Sequence, residues 1–390
     1  MRLRSIDILR ALTMFLMVWV NDFWTLVEVP RWLGHAAAGE DYLGFSDVIF
    51  PLFLFIVGLS IPFAITRRKE GGDRPTAIAK HILIRSLSLL LIGLYMVNYE
   101  TAFGPGMIIG KGAWCLLMAV AVFLVWTHWE RSPVPNGWHR PLQFSGLLLL
   151  LFLALIYKGG ATGEYWMRPQ WWGILGLIGW AYLLNALVFL YSRGNLAVIV
   201  TLWLVLNVLS VLAQTDMALE LQGPLKIFST VLGGTIPGFT TAGMVASLGF
   251  MACSHSKGPW GYVLLLVLGA VCLVYGLGTR SLWGISKLGA TPSWLAVCSG
   301  LGFLLFALLH YIADHRNISG WAKIIAPAGT ATLTCYMLPY IWYPIRGFLD
   351  FRLPEALNTG TLGLLGSLVF AFLVVAITGI LERIGIKLKL

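Results

Sequence analysis

The sequence predicts an all-α fold, a polytopic bundle of membrane-spanning helices. Three observations carry that reading. The 390 residues are 58% hydrophobic and only 11% charged, where a soluble domain holds about 25% charged residues. Apolar runs of near-spanning length recur along the whole chain. Lysine and arginine also divide unevenly between alternate loops, about two to one in favour of one side.

Twelve spans follow in order, at about 5–27, 46–66, 81–99, 111–128, 142–157, 170–191, 196–213, 234–253, 260–279, 292–312, 323–345 and 361–381. The fifth is short and the seventh weakly bounded, so ten is the alternative count. Either number is even and puts both termini on one side. The first segment, "MRLRSIDILRALTMFLMVWVNDFW", opens like a signal peptide. Its apolar part is too long for one, Asp7 and Arg10 interrupt its start, and no small-residue cleavage site follows. It reads as a retained first span. The loop "RRKEGGDRPTAIAKH" (Arg67–His81) is the strongest basic block, and it places the N-terminus and this loop inside, with both termini cytoplasmic. Basic charge of this origin needs no nucleic-acid partner; anionic lipid headgroups or a phosphate-bearing cofactor both suit it.

The five cysteines are scattered, without a CxxC pair, which predicts buried thiols with no disulfide framework and no metal site. No HExxH, nucleophile elbow, P-loop or GxGxxG fingerprint stands out. His81, His128 and His310 fall near helix ends and read as interfacial or packing residues. In "FPLFLFIVGLSIPFA", Pro51 is close enough to a helix start to be tolerated, whereas Pro62 is expected to end or bend the helix.

Ionisable residues at membrane depth are costly and usually face a bundle interior or a watery cavity. Asp7 and Arg10 are three apart on one face, which fits a local ion pair at the helix start. The functional reading beside it is an arginine facing an inner cavity, where it would meet phosphate together with Arg85. Asn21 ends the first apolar run, as an interfacial cap or as a ligand contact. Eleven residues separate it from Arg10, about 16 Å at roughly 1.5 Å per residue, a span that an extended cofactor arm could bridge. His35 lies on the outer side between the first two spans, inside "GHAAAG", whose small residues let backbone or ligand approach closely. Asp22 and Asp47 lie on the same side, and Asp47 is placed to orient or charge-balance the imidazole.

The first 100 residues resemble the heparan-alpha-glucosaminide N-acetyltransferase family and its bacterial relatives. "RLRSIDILRALTMFLMVWVND" is similar to the family's opening helix, and "GHAAAGEDYLGFSDVIFPLFLFIVGLSI" to its next block, His-Ala followed by Asp-Leu-Val-Phe-Pro. "IRSLSLLLIGLYMVN" resembles the third, and "GGTIPGFTTAGM" and "ISKLGATPSWLAVCSG" resemble weaker later blocks. The resemblance implies one transmembrane acyltransferase domain over 1–390, with motif-bearing helices in 1–128, extra helices in 142–213 and C-terminal helices in 234–390. It implies acetyl transfer from cytosolic acetyl-CoA to the amine of an amino sugar or glycan on the outer side, in a bacterial inner membrane. His35 falls on the active histidine, Asn21 on the asparagine that contacts the donor, and Asp47 on the aspartate before Val-Phe-Pro. Arg10 and Arg85 are then the candidates for the CoA phosphates, and Asp22, Lys287 and Ser293 for the acceptor. Membrane lipids and a second copy of the chain are the other expected partners.

Three departures accompany the resemblance. The tryptophan usual after His-Ala is replaced by "AAAGEDY" and the spacing to Asp47 is expanded. "GKGAWCLLMAV" stands where the family has Pro-Gly-Val-Leu-Gln-Arg, leaving Lys111 as a substitute cation. Residues 142–213 hold two additional helices. Two roles for His35 stay open, general base or acetyl-carrying nucleophile. The rival function is a secondary transporter for an amino sugar or related small sugar, although no internal repeat relates residues 1–190 to 191–390.

Overall fold

A computed structural model describes residues 3–215, 223–254, 258–352 and 354–390. Among these residues the regular structure is helical, and β-pairing is confined to isolated bridges such as Thr127 with Leu388. The long helices are α1 (Arg4–Asn21), α2 (Ser46–Glu70), α3 (Pro75–Glu100), α4 (Gly110–Trp126), α5 (Asn136–Leu155), α6 (Ile174–Tyr191), α7 (Leu196–Leu212), α8 (Thr235–Ser254), α9 (Trp260–Gly278) and α10 (Pro292–Leu309). The short helices α11 (Ala326–Thr330), α12 (Thr332–Met337) and α13 (Pro339–Phe348) follow, and α14 (Gly360–Arg383) is the last long one. Eight helical stretches of the described chain are long and apolar enough to cross a membrane. The protein is therefore a polytopic helical membrane protein. Helices α4 and α7 are apolar but shorter, and α1 carries Arg4, Asp7 and Arg10 in its first two turns.

Two expectations need correction. The span expected at 323–345 is broken into α11, α12 and α13. Pro327 and Pro339 sit in the first turns of α11 and α13, where a missing N–H is harmless, and Ala331 between α11 and α12 leaves helical geometry (φ −121°, ψ 49°). Conversely, Pro62 does not end its helix: α2 continues to Glu70 with Pro51 and Pro62 both inside it. Membrane helices tolerate such prolines when a neighbouring group satisfies the freed carbonyl. For Pro51 that carbonyl belongs to Asp47, and the Trp294 indole N–H donates to it at 3.1 Å.

The chain forms two compact units. One comprises residues 1–13, 30–88 and 177–323, the other 14–29, 89–176 and 324–390. In the first unit α2 and α8 pack at backbone distance. A Cβ on Gly58 would lie 1.8 Å from the Thr240 carbonyl oxygen, and one on Gly243 would lie 2.0 Å from that of Phe55. Glycine at both positions is what lets the helices meet, as is usual where apolar helices associate without water to drive them. Ile61, Ile65, Ile78, Ile82, Tyr182 and Phe189 extend this core. In the second unit the buried Trp114 of α4 donates its indole N–H to the Leu153 carbonyl of α5 at 2.9 Å, and the Tyr95 hydroxyl donates to that of Leu150 at 2.7 Å.

Candidate active site

The site is built in the first unit by the loop before α2, the N-terminus of α2 and the loop before α10. Asp47 occupies the first turn of α2, where a carboxylate complements the helix dipole. It is 1% exposed, so each of its oxygens needs a partner. Oδ2 accepts the backbone N–H groups of Ala36 (2.9 Å) and Gly44 (3.3 Å). Oδ1 lies 2.6 Å from Nδ1 of His35. Gly44 has to be glycine, because a Cβ there would sit 1.9 Å from the Gly34 carbonyl oxygen. The loop closes further through Phe45 N–H to the Trp32 carbonyl and Ser46 N–H to that of Leu33.

This geometry fixes the imidazole. A short contact to a carboxylate oxygen needs a proton between the two atoms, so Nδ1 carries it and donates to Asp47. Nε2 is then left with its lone pair, and no described residue binds it. His35 is half-exposed (47%), so that lone pair is open to a substrate.

Lys287 adds a cation. Its Nζ is 3.8 Å from Asp47 Oδ1 and 3.4 Å from His35 Nδ1. Burial lowers its pKa from the ordinary lysine value, and the Asp47 charge opposes that shift. A turn shapes the chain around Lys287: the Ala290 N–H donates to the Lys287 carbonyl, and the Gly289 N–H to the Ser286 hydroxyl. A clamp holds this loop against the His35 loop. The Asp41 carboxylate accepts the Ile285 N–H (2.6 Å) and Arg280 Nε–H (2.8 Å), and the Tyr42 N–H returns a bond to the Ile285 carbonyl. Those donors hold the Asp41 carboxyl below its usual pKa, the Ile285 N–H contributing most.

The structure thus brings His35, Asp47 and Lys287 together. Ser293 is fully buried and pairs with the Thr279 hydroxyl at 3.1 Å. Arg10 donates to Ser60 Oγ (2.8 Å) and contacts Asp7 at 3.4 Å. Arg85 stacks over Tyr182 (4.8 Å), and its buried Nε–H has no hydrogen-bond partner among the described residues. In the second unit Asn21 closes α1 with an exposed side chain, and the adjacent, buried Asp22 accepts the Tyr343 hydroxyl at 2.7 Å. Lys111 donates to the Glu100 carbonyl at 2.9 Å. No group of three or more His, Cys, Asp or Glu able to hold a metal occurs among the described residues.

Sequence reasoning missed the Asp41–Arg280 clamp and the Trp294 bond to Asp47. The first has no local signal, because its partners are 239 residues apart. The second had one: a proline four residues after Asp47 announces a carbonyl in need of a donor.

Comparison with known proteins bears on the same segment. Residues 2–132 match the family described as Heparan-alpha-glucosaminide N-acetyltransferase, catalytic. The chain resembles that family. The Mus musculus protein named heparan-alpha-glucosaminide N-acetyltransferase is 30% identical over 149 residues, 35% of this chain and 21% of the relative. The Homo sapiens protein of the same name is 33% identical over 108 residues, 27% of this chain and 15% of the relative. The chain therefore spans only about a fifth of the length of these curated relatives. The family match includes Arg10, Asn21, Asp22, His35, Asp47 and Arg85, whereas Lys287 and Ser293 lie beyond it.

Proposed function

We propose that the protein is a membrane acetyltransferase that moves an acetyl group from acetyl-CoA to the amine of a sugar or glycan, with His35 as the working residue. The observation that carries this reading is the 2.6 Å contact between His35 Nδ1 and the buried Asp47. It leaves the Nε2 lone pair free to act as a base or nucleophile. The resemblance to N-acetyltransferases over residues 2–132 supplies the reaction class.

In the direct route, Nε2 takes a proton from the acceptor ammonium and the freed amine attacks the thioester carbonyl. The C–S bond breaks as the tetrahedral intermediate collapses, the nitrogen gives up its second proton to solvent, CoA leaves as the thiolate, and the imidazolium returns its proton to the sulfur. Asp47 stabilises the imidazolium while it exists. In the alternative, Nε2 itself attacks the thioester and expels CoA as the thiolate, and the amine then takes the acetyl group from the imidazole as the N–acyl bond breaks. The exposed amide of Asn21 is the proposed donor to the thioester oxygen. Arg85 offers a CoA phosphate an Nε–H that no described residue accepts, and Arg10 is the second proposed phosphate ligand. The donor enters from the cytoplasmic side and the acceptor meets His35 on the outer side, with the bacterial inner membrane as the setting.

The test is acetylation of amino sugars by the purified full-length protein with labelled acetyl-CoA. His35→Ala should abolish product while leaving CoA binding largely intact, and retained turnover would overturn the assignment. Label left on the protein without acceptor separates the acetyl-histidine route from direct transfer. Uptake of unmodified sugar by proteoliposomes without acetyl-CoA would instead favour the transporter.

A further inference from the structure

The second unit contains a cavity of about 290 Å³ with no part in the chemistry above. Two opposite charges line it. One is Asp22, buried to 6% exposure, with one carboxylate oxygen accepting the Tyr343 hydroxyl. The other is Arg346, whose Nε–H is taken by the Phe351 carbonyl at 3.0 Å, while its two terminal nitrogens make no hydrogen bond among the described residues and its charge acts on Asp22. The walls are apolar, with Trp342 of α13 and Val369, Phe370 and Leu373 of α14 among them.

The apolar wall runs on outside the cavity. Val369 and Leu373 are more than half exposed, as is Leu365 one turn earlier. Helix α14 is one of the eight stretches apolar enough to span a membrane, so this face meets acyl chains. The charged end of the cavity lies at the N-terminal end of α14, marked by Gly363 and Gly366, and just past the end of α1. That is the boundary depth, where lipid headgroups reside. A ligand complementary to the cavity bears a cation with N–H donors, an anion close to it, and a hydrocarbon chain.

We propose that this cavity binds a phospholipid with a primary-ammonium headgroup, phosphatidylethanolamine being the chemical type. Its ammonium meets Asp22, its phosphate meets Arg346, and one chain lies along Val369 and Leu373. A choline headgroup, bearing no N–H, has nothing to donate to the carboxylate, and a glycerol headgroup brings Asp22 no second cation beside Arg346. The proposal is independent of acetyl transfer.

Delipidated full-length protein in detergent would be titrated with phosphatidylethanolamine, phosphatidylglycerol or phosphatidylcholine of identical chains, and with soluble phosphoethanolamine, reading the melting temperature. Phosphatidylethanolamine should raise it more than the other two lipids, and phosphoethanolamine should leave it unchanged. Asp22→Asn, which keeps an oxygen for Tyr343, should erase the ethanolamine preference. Arg346→Gln should weaken the response to all three lipids. Val369→Trp, which blocks the apolar wall and leaves both charges in place, should abolish the response and guards against misfolding of the Asp22 variant. Equal responses to the three lipids, or a preference that survives Asp22→Asn, would overturn the proposal. A shift produced by phosphoethanolamine alone would overturn it in favour of a soluble ligand.

Discussion

Nδ1 of His35 lies 2.6 Å from Oδ1 of Asp47, a carboxylate 1% exposed to its surroundings. The pair spans only twelve residues of sequence, yet it joins an exposed loop to the buried first turn of α2. It fixes which imidazole nitrogen holds the proton, and so which one faces outward with a lone pair.

Asp47→Asn should therefore be worse than a simple loss of charge. The amide oxygen can still accept from Ala36 and Gly44, but its NH₂ group then points at Nδ1 and forces the proton onto Nε2. The base is removed while the fold is retained. Turnover should fall by about 10²–10⁴, the usual contribution of a positioned acid–base group, with little change in CoA affinity. Steady-state kinetics alongside CoA titration would check this, and near-normal kcat would show that the tautomer is irrelevant.

Lys287 predicts an alkaline limb. Its pKa is lowered by burial, so the cation beside Asp47 is lost at lower pH than for an ordinary lysine, for which about 10.4 is typical. If the cation supports the dyad, activity falls as pH rises through that lowered value. Lys287→Arg, charged throughout, should move the limb to higher pH, while Lys287→Met should reduce activity across the whole range. A pH profile of kcat for the three proteins decides it.

The bond from Trp294 to the Asp47 carbonyl predicts a rescue. Trp294→Phe leaves a buried carbonyl without a donor and should destabilise the protein by about 1–3 kcal/mol. Pro51→Ala restores a helical N–H four residues on, so adding it to Trp294→Phe should recover part of the loss. Thermal melts of the single and double variants measure the coupling directly.

Gly44→Ala places a Cβ 1.9 Å from the Gly34 carbonyl oxygen. Backbone cannot yield there as a flexible side chain would, so the loop must shift and take the Gly44 N–H away from Asp47. Loss of stability above about 2 kcal/mol is expected, together with loss of activity. A control at Gly39, where a Cβ meets nothing, should keep the site chemistry; its φ of 77° adds only local strain.

Asp41 carries an acid dependence. Its folded pKa is below the reference 3.8, so its contribution is fully present above that value and is lost as pH falls through the lower folded one. The group is 47% exposed, which limits the effect to under about 1 kcal/mol. Asp41→Asn should lower the melting temperature slightly at neutral pH, and the difference from wild type should shrink as acid protonates the native residue.

Much of this was legible in the sequence. Long apolar runs need no tertiary information, so eleven of the expected spans reappear as continuous helices. His35 and Asp47 are close in sequence, and their pairing could be anticipated. The break at 326–348 was hidden because its prolines sit inside an otherwise apolar run, which hydropathy averages away. Arg10 shows another limit: spacing suggested Asp7 as its partner, yet its shorter bond is to Ser60, fifty residues on. Contacts set by helix packing, such as Ser293 turning to Thr279, carry no periodic signature.

The Asp41 clamp ties two loops from distant parts of the chain at a charged carboxylate, with a backbone bond returned by Tyr42. His35 rides on one loop and Lys287 on the other. Moving either loop away from the other must break the Asp41 bonds and the Tyr42–Ile285 bond. The spacing between the imidazole and the ammonium is therefore set by a carboxylate on a third position, six residues past His35, whose bonds go to the Ile285 N–H and the Arg280 guanidinium.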